Sequence, residues 1–242
     1  MKASVSDQRS ILDIQRFDLQ TATLRNKAAN LPEIAEINSL TIKQNNARDL
    51  RIAAETELSD VKRELTRAET DVEQIVTRIE RDEKRLASGT GTPKELEQTQ
   101  HELATLGTRR SELEEVELEI MMRVDSIKER ISELSGQESQ YALDIAELNI
   151  RKENALAAIH TELEGIAADR ISTAQSIGPE LLALYEKIRE ANNGIGAAAL
   201  AGSQCKGCNL TLNTIEIQRI SGLAEDEVVR CEECRCILVR ER

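Results

Sequence analysis

The chain has 242 residues, 31 % of them charged and only 1 % aromatic, with a formal net charge of −12. Phe17, Tyr141 and Tyr185 are its aromatics and Trp is absent, so a closed globular core of ordinary composition is excluded and long helices or coiled coils are favoured. The acidic balance opposes binding to nucleic acid or anionic membrane unless charge is segregated, and no apolar run reaches the ~20 residues that span a bilayer.

The first stretch, Met1-Lys2-Ala3-Ser4-Val5-Ser6-Asp7, lacks the apolar segment of a secretory signal, which points to a reducing cytoplasm. A helical pattern then runs to Asn30-Leu31-Pro32, where proline predicts a kink or break. The first ~25 residues are expected as a separate helix on the base of the second of two arms.

From there a heptad pattern takes over. Leu58, Leu65, Val72, Ile79 and Leu86 recur every seven residues, with Ala47, Ala54, Val61, Ala68, Ile75 and Asp82 as the companion series. Ser88-Gly89-Thr90-Gly91-Thr92 reads as a turn: Gly89 suits the left-handed end of a helix, Thr92 its successor's N-cap, Pro93 the first helical position and Glu95 a capping box. Beyond the turn, Leu96, Leu103, Val124, Ile131, Ile145, Ile159 and Ile166 share one register. Leu106, Leu113, Ile120, Ile127, Leu134, Tyr141 and Leu148 share the other. Arg110, Glu117, Glu138 and Lys152 interrupt this seam. Arms 4–87 and 93–176 are equal in length, which predicts an antiparallel coiled-coil hairpin rather than a parallel intermolecular coil.

After Gly178-Pro179, the segment 180–190 reads as an amphipathic helix ending near Asn192-Asn193-Gly194. The small apolar run 194–203 reads as a strand, as do Val228-Val229-Arg230 and Ile237-Leu238-Val239, with one short helix over 213–221 capped by Asn213 or Thr214. All five cysteines fall in this last part. Cys205-Lys-Gly-Cys208 and Cys231-Glu-Glu-Cys234 are two matched knuckles whose spacing suits one tetrahedral Zn2+ held by four thiolates. Four thiolates leave no open position, so the site reads as structural rather than catalytic. Cys236 could replace Cys234 as the fourth ligand; two equal knuckles favour Cys234, with Cys236 a free thiol beside the site.

The expected fold is therefore mainly α: a long antiparallel coiled-coil hairpin over 1–178 (break near 30–32, turn near 88–92), followed by a connecting helix and a small C4-type zinc ribbon over 179–242. The order hairpin, Leu184-Tyr185-Glu186-Lys-Ile188-Arg189, Cys205-Lys-Gly207-Cys208, then Val229-Arg-Cys231-Glu-Glu-Cys234-Arg-Cys-Ile237-Leu238, resembles a bacterial family of coiled-coil hairpin proteins with a C-terminal C4-type zinc ribbon. That resemblance implies zinc ligation by Cys205, Cys208, Cys231 and Cys234. It also implies adaptor or chaperone-like roles, some in flagellar or type III secretion, or nucleic-acid binding. The family's Gly-Arg after the last ligand is Arg235-Cys236 here, which calls into question a left-handed residue at that place.

No catalytic constellation accompanies these features. His101 and His160 lie apart amid polar residues, Glu112, Glu114, Glu115, Glu117 and Glu119 read as a solvated face, and Tyr185 as a packing residue. The expectation is a non-enzymatic adaptor for protein partners, monomeric or homodimeric, without membrane contact. The alternative is RNA or DNA binding through the ribbon. Against it, Lys206, Arg219, Arg230, Arg235, Arg240 and Arg242 are matched by Glu216, Glu225, Asp226, Glu227, Glu232, Glu233 and Glu241, with no aromatic platform.

Overall fold

The computed structural model describes residues 1–240; Glu241 and Arg242, counted in the charge balance above, lie outside the described residues. Four helices come first: α1 (Val5–Ala29), α2 (Pro32–Ala87), α3 (Pro93–Gln175) and α4 (Pro179–Ala191). The cysteine region adds β1 (Ala197–Ala201), β2 (Gln204–Cys205), α5 (Thr214–Ser221), β3 (Val229–Arg230) and β4 (Ile237–Arg240).

The helix ends follow local chemistry. The Ser4 hydroxyl accepts from the Asp7 N–H and starts α1, and the break before Pro32 separates α1 from α2 as the proline predicts. At the turn, Gly89 sits at φ +64°. Thr92 N donates to Glu95 Oε2 at 2.7 Å while Glu95 N donates back to Thr92 Oγ1 at 3.4 Å, closing the expected capping box. Gly178-Pro179 opens α4, and Asn193 and Gly194 turn the chain with positive φ toward β1.

Packing divides the chain into two compact units, 35–149 and 1–34 together with 150–242. In the first, α2 and α3 form a helical hairpin. Ala54 and Val61 on α2 bury against Val124 and Ile127 on α3, flanked by Leu58, Leu65, Ile120 and Ile131. The ion pairs Arg51–Glu138 (2.9 Å), Glu57–Arg130 (2.7 Å) and Glu64–Arg123 (3.0 Å) climb one helix as they descend the other, which is antiparallel pairing. Glu138, one of the seam interruptions, thus has a cross-helix partner.

The second unit is built on a four-stranded sheet of order β2-β1-β4-β3, with β1 and β4 parallel and the outer pairs antiparallel. The sheet is buried on both faces, and the two-residue period of the strands sorts its side chains. Ala197, Ile237 and Val239 join Ile11 and Ile14 of α1 and Leu181, Tyr185 and Ile188 of α4 in one core. Ala198, Leu200 and Leu238 join the cysteines, Leu212 and Ile220 in the other. The boundary expected at 178/179 follows helix punctuation. Packing groups residues otherwise, because α1 and the end of α3 share a core with the sheet. For the same reason α1 does more than rest on the second arm. It roofs the sheet while its Asp18 holds Arg170 of α3 at 2.7 Å.

Candidate metal centre

Two loops with matching backbone bring four sulfurs together. In the first, Asn209 N donates to Cys205 O at 2.8 Å; in the second, Arg235 N donates to Cys231 O at 3.0 Å. The residue after each knuckle is left-handed, Asn209 at φ +59° and Arg235 at φ +62°. Arg235 therefore takes the conformation that glycine would favour, and its carbonyl accepts from Arg230 Nε at 2.9 Å.

The Sγ atoms of Cys205, Cys208, Cys231 and Cys234 all lie within 4.8 Å of one another and could hold a metal ion. Cys205–Cys234 is 3.8 Å and Cys208–Cys231 3.9 Å. A tetrahedron with metal–sulfur bonds of about 2.3 Å has edges of about 3.8 Å, so both cross-knuckle edges fit a four-thiolate site. Each knuckle gives one buried thiol (Cys205, Cys231) and one half-buried thiol (Cys208, Cys234). Burial pushes the Cys231 thiol up to about 12, so a cation is what would hold it as thiolate near neutral pH. Cys236 is fully buried, 3.3 Å from Cys234 and 3.7 Å from Cys205, and lies outside the group of four.

The frame around the site is tight. At Gly207, inside the first knuckle, an added Cβ would come within 3.0 Å of the Ala198 Cβ and 3.3 Å of the Cys236 Sγ. At Gly196 it would meet the Tyr185 ring at 2.5 Å, so Tyr185 packs directly under the start of β1. Gln15 anchors the same segment: its Oε1 accepts from Gly196 N and Ala197 N, and its Nε2 donates to Gly194 O. On the far side, the Arg240 guanidinium donates to the carbonyls of Ile220, Leu223, Ala224, Glu225 and Glu227 at 2.7–3.3 Å, closing the end of α5 and the loop after it. Sequence reasoning read Gly196 only as part of a strand and Arg240 only as a charge, and did not single out Gln15. A glycine at a strand start is a sign of close backbone approach, whereas the two polar residues carry no such sign.

Tyr185 also closes an ion network. Its hydroxyl donates to Asp18 Oδ2 at 2.7 Å, Arg170 grips the same carboxylate from α3, and Glu186 joins Arg170 to Arg189. His160 lies beside Glu164 on an exposed helix face and, like His101, is remote in sequence from the cysteines. Among the described residues, no helix is long and apolar enough to cross a membrane.

Comparison with known proteins places the chain as a whole. An uncharacterized protein of Mycobacterium tuberculosis is 34 % identical over 99 % of this chain and 98 % of its own length, and one of Mycobacterium leprae is 24 % identical over 95 % and 98 %. A Mycobacterium smegmatis structure is similar over 100 % of both chains, with a TM-score of 0.84 and 32 % identity. The structure of CT398 from Chlamydia trachomatis shares the fold over 97 % of this chain and 98 % of its own, with a TM-score of 0.68 and 19 % identity. Residues 14–193, from α1 through α4, match a family by themselves, and on that match the chain belongs to the CT398-like coiled coil hairpin domain family.

Proposed function

We propose that this protein is a non-enzymatic adaptor, in which the helical hairpin serves as a spacer and a ribbon built on one structural Zn2+ helps form a docking surface for a protein partner. The reading of zinc rests on the donor set: four cysteine sulfurs within 4.8 Å of one another suit this ion, and as thiolates they would fill its coordination shell. Such a site supplies rigidity. Thiolate ligation in turn implies a reducing compartment, the cytoplasm.

The observation that carries the docking role is an apolar groove of about 570 Å³ beside the first knuckle. Leu12 and Leu19 of α1, Ile166 of α3 and Ile195 and Ala198 leading into and along β1 form its walls, with Arg16 and Lys206 among its polar lining. Leu19 is 48 % exposed there, an apolar side chain placed where a partner could cover it.

The experiment compares zinc-loaded wild type with Leu19→Glu as baits in the native cell. A protein recovered with wild type should be lost with Leu19→Glu, while helicity and zinc content stay equal. Equal recovery with both baits would remove the groove from the reading. Salt-sensitive RNA or DNA binding by the purified protein, without a groove-dependent protein partner, would replace the adaptor reading with nucleic-acid binding.

A further inference from the structure

We propose that Cys236 is a resolving thiol for the metal centre: when a peroxide oxidises Cys234, Cys236 closes a disulfide with it and withdraws one ligand from the site. The inference rests on the zinc reading above and adds a modification site to it.

Three observations converge. The four knuckle sulfurs lie within 4.8 Å of one another, enough for a tetrahedral ion, which would leave Cys236 surplus to coordination. It is nonetheless aimed at the centre from a fully buried position, 3.3 Å from Cys234 and 3.7 Å from Cys205, in a space that Gly207 keeps open. And the sulfurs differ in access: Cys208 and Cys234 are half-buried, whereas Cys236 is sealed. An oxidant therefore meets Cys208 or Cys234 before Cys236, and of these Cys234 has Cys236 only 3.3 Å away. Closing 3.3 Å to a bond of about 2.05 Å asks for a small side-chain movement across the left-handed turn at Arg235.

The chemistry balances with hydrogen peroxide as the two-electron oxidant. The Cys234 thiolate attacks one peroxide oxygen, the O–O bond breaks, and sulfenic acid and hydroxide form. The Cys236 sulfur then attacks the Cys234 sulfur, the S–O bond breaks, and the oxygen leaves as water with the thiol proton. One thiolate, one thiol and one peroxide give one disulfide, one water and one hydroxide. The site keeps three thiolates and releases its ion.

The test treats zinc-loaded full-length protein with a few equivalents of hydrogen peroxide, follows zinc with a chromogenic chelator, and maps disulfides after alkylation. Trypsin cuts after Arg235, so the expected product is two peptides joined through Cys234 and Cys236, appearing in step with zinc release and reversed by dithiothreitol. In Cys236→Ser, which should keep its zinc, a sulfenic-acid trap should label Cys234 about tenfold more than in wild type, because the resolving step is gone. A first disulfide that omits Cys236, equal trapping in both proteins, or loss of zinc binding in untreated Cys236→Ser would each overturn the proposal. Should the purified protein hold no zinc, the zinc reading fails by itself. Disulfide mapping of the peroxide-treated protein still tests the thiol pair.

Discussion

Asp18 shows how much one carboxylate can organise. It lies on α1, yet it accepts from Arg170 on α3 and from Tyr185 on α4, with Arg189 at 3.4 Å. Burial pushes this carboxyl up, but the hydrogen bonds from Arg170 and Tyr185 and the two guanidinium charges outweigh it and hold the group below its usual range. A carboxylate depressed in the folded state contributes stability that is fully present above its unfolded value of about 3.9 and lost as pH falls through the lower folded value. Asp18→Asn should therefore cost about 2–3 kcal/mol at neutral pH, the scale of hydrogen bonds to a charged group. The cost should shrink in acid below about pH 4, where wild type gives up the same contribution. Urea melts of both proteins from pH 2 to 7 check this. Thiol protonation loosens a bound metal in both, so the difference between them is the readout, and a difference independent of pH would refute the assignment. At the same scale, Arg235 departs from expectation for a physical reason. The bonds on either side of it, Arg235 N to Cys231 O and Arg230 Nε to Arg235 O, fix the left-handed turn that its Cβ disfavours.

The seam of the helical hairpin is apolar where it is buried. Ala47, Ala54, Val61 and Ala68 are buried on α2, and Leu106, Val124 and Ile127 on α3. Asp82 breaks this rule. It occupies a seam position, is 7 % exposed, and its Oδ2 has no hydrogen-bond partner; Arg81 Nε reaches the other oxygen at 3.6 Å. A buried acceptor left unsatisfied costs about 1–3 kcal/mol. Asp82→Leu should recover that amount as a higher melting temperature in circular dichroism. An unchanged or lower melting temperature would mean that the carboxylate is solvated in practice. The seam, its turn and its caps were all readable from sequence because each rests on neighbours a few residues apart: Gly89 on Leu86, Thr92 on Glu95, the alanines on the heptad. The role of α1 was not. Its buried face includes Gln8 and Gln15 beside Ile11 and Ile14, and their polar side chains disguise the apolar stripe. The parallel pairing of β1 with β4 was equally hidden. Strands of five and four residues, separated by both knuckles, carry no local sign of which edge they share. The four knuckle cysteines were legible from spacing alone, whereas the burial of Cys236 depends on how β4 folds against Gly207.

At the scale of the molecule, stability is divided unequally between chemistry and packing. The unit over 35–149 carries its own apolar seam and cross-helix ion pairs. The sheet unit has two cores of different kind. One is aliphatic and aromatic, between the sheet and α1 and α4; the other sets Cys205, Cys231 and Cys236 among Leu200, Leu212, Ile220, Val229 and Leu238. On the zinc reading proposed above, an ion tying the sulfurs would add to this second core a stabilisation that the first does not have. Metal binding in comparable small modules contributes on the order of 10 kcal/mol to folding. Removing zinc with a strong chelator should therefore unfold the segment between β1 and β4 and leave the hairpin helices formed. Protease should cut within 205–236, and hydrogen exchange should rise there by orders of magnitude, while the far-ultraviolet helical signal, dominated by α2 and α3, falls only slightly. If the knuckle segment stayed as protected after chelation as before, packing alone would account for the head. If the helical signal collapsed with it, the hairpin would owe its stability to the metal as well.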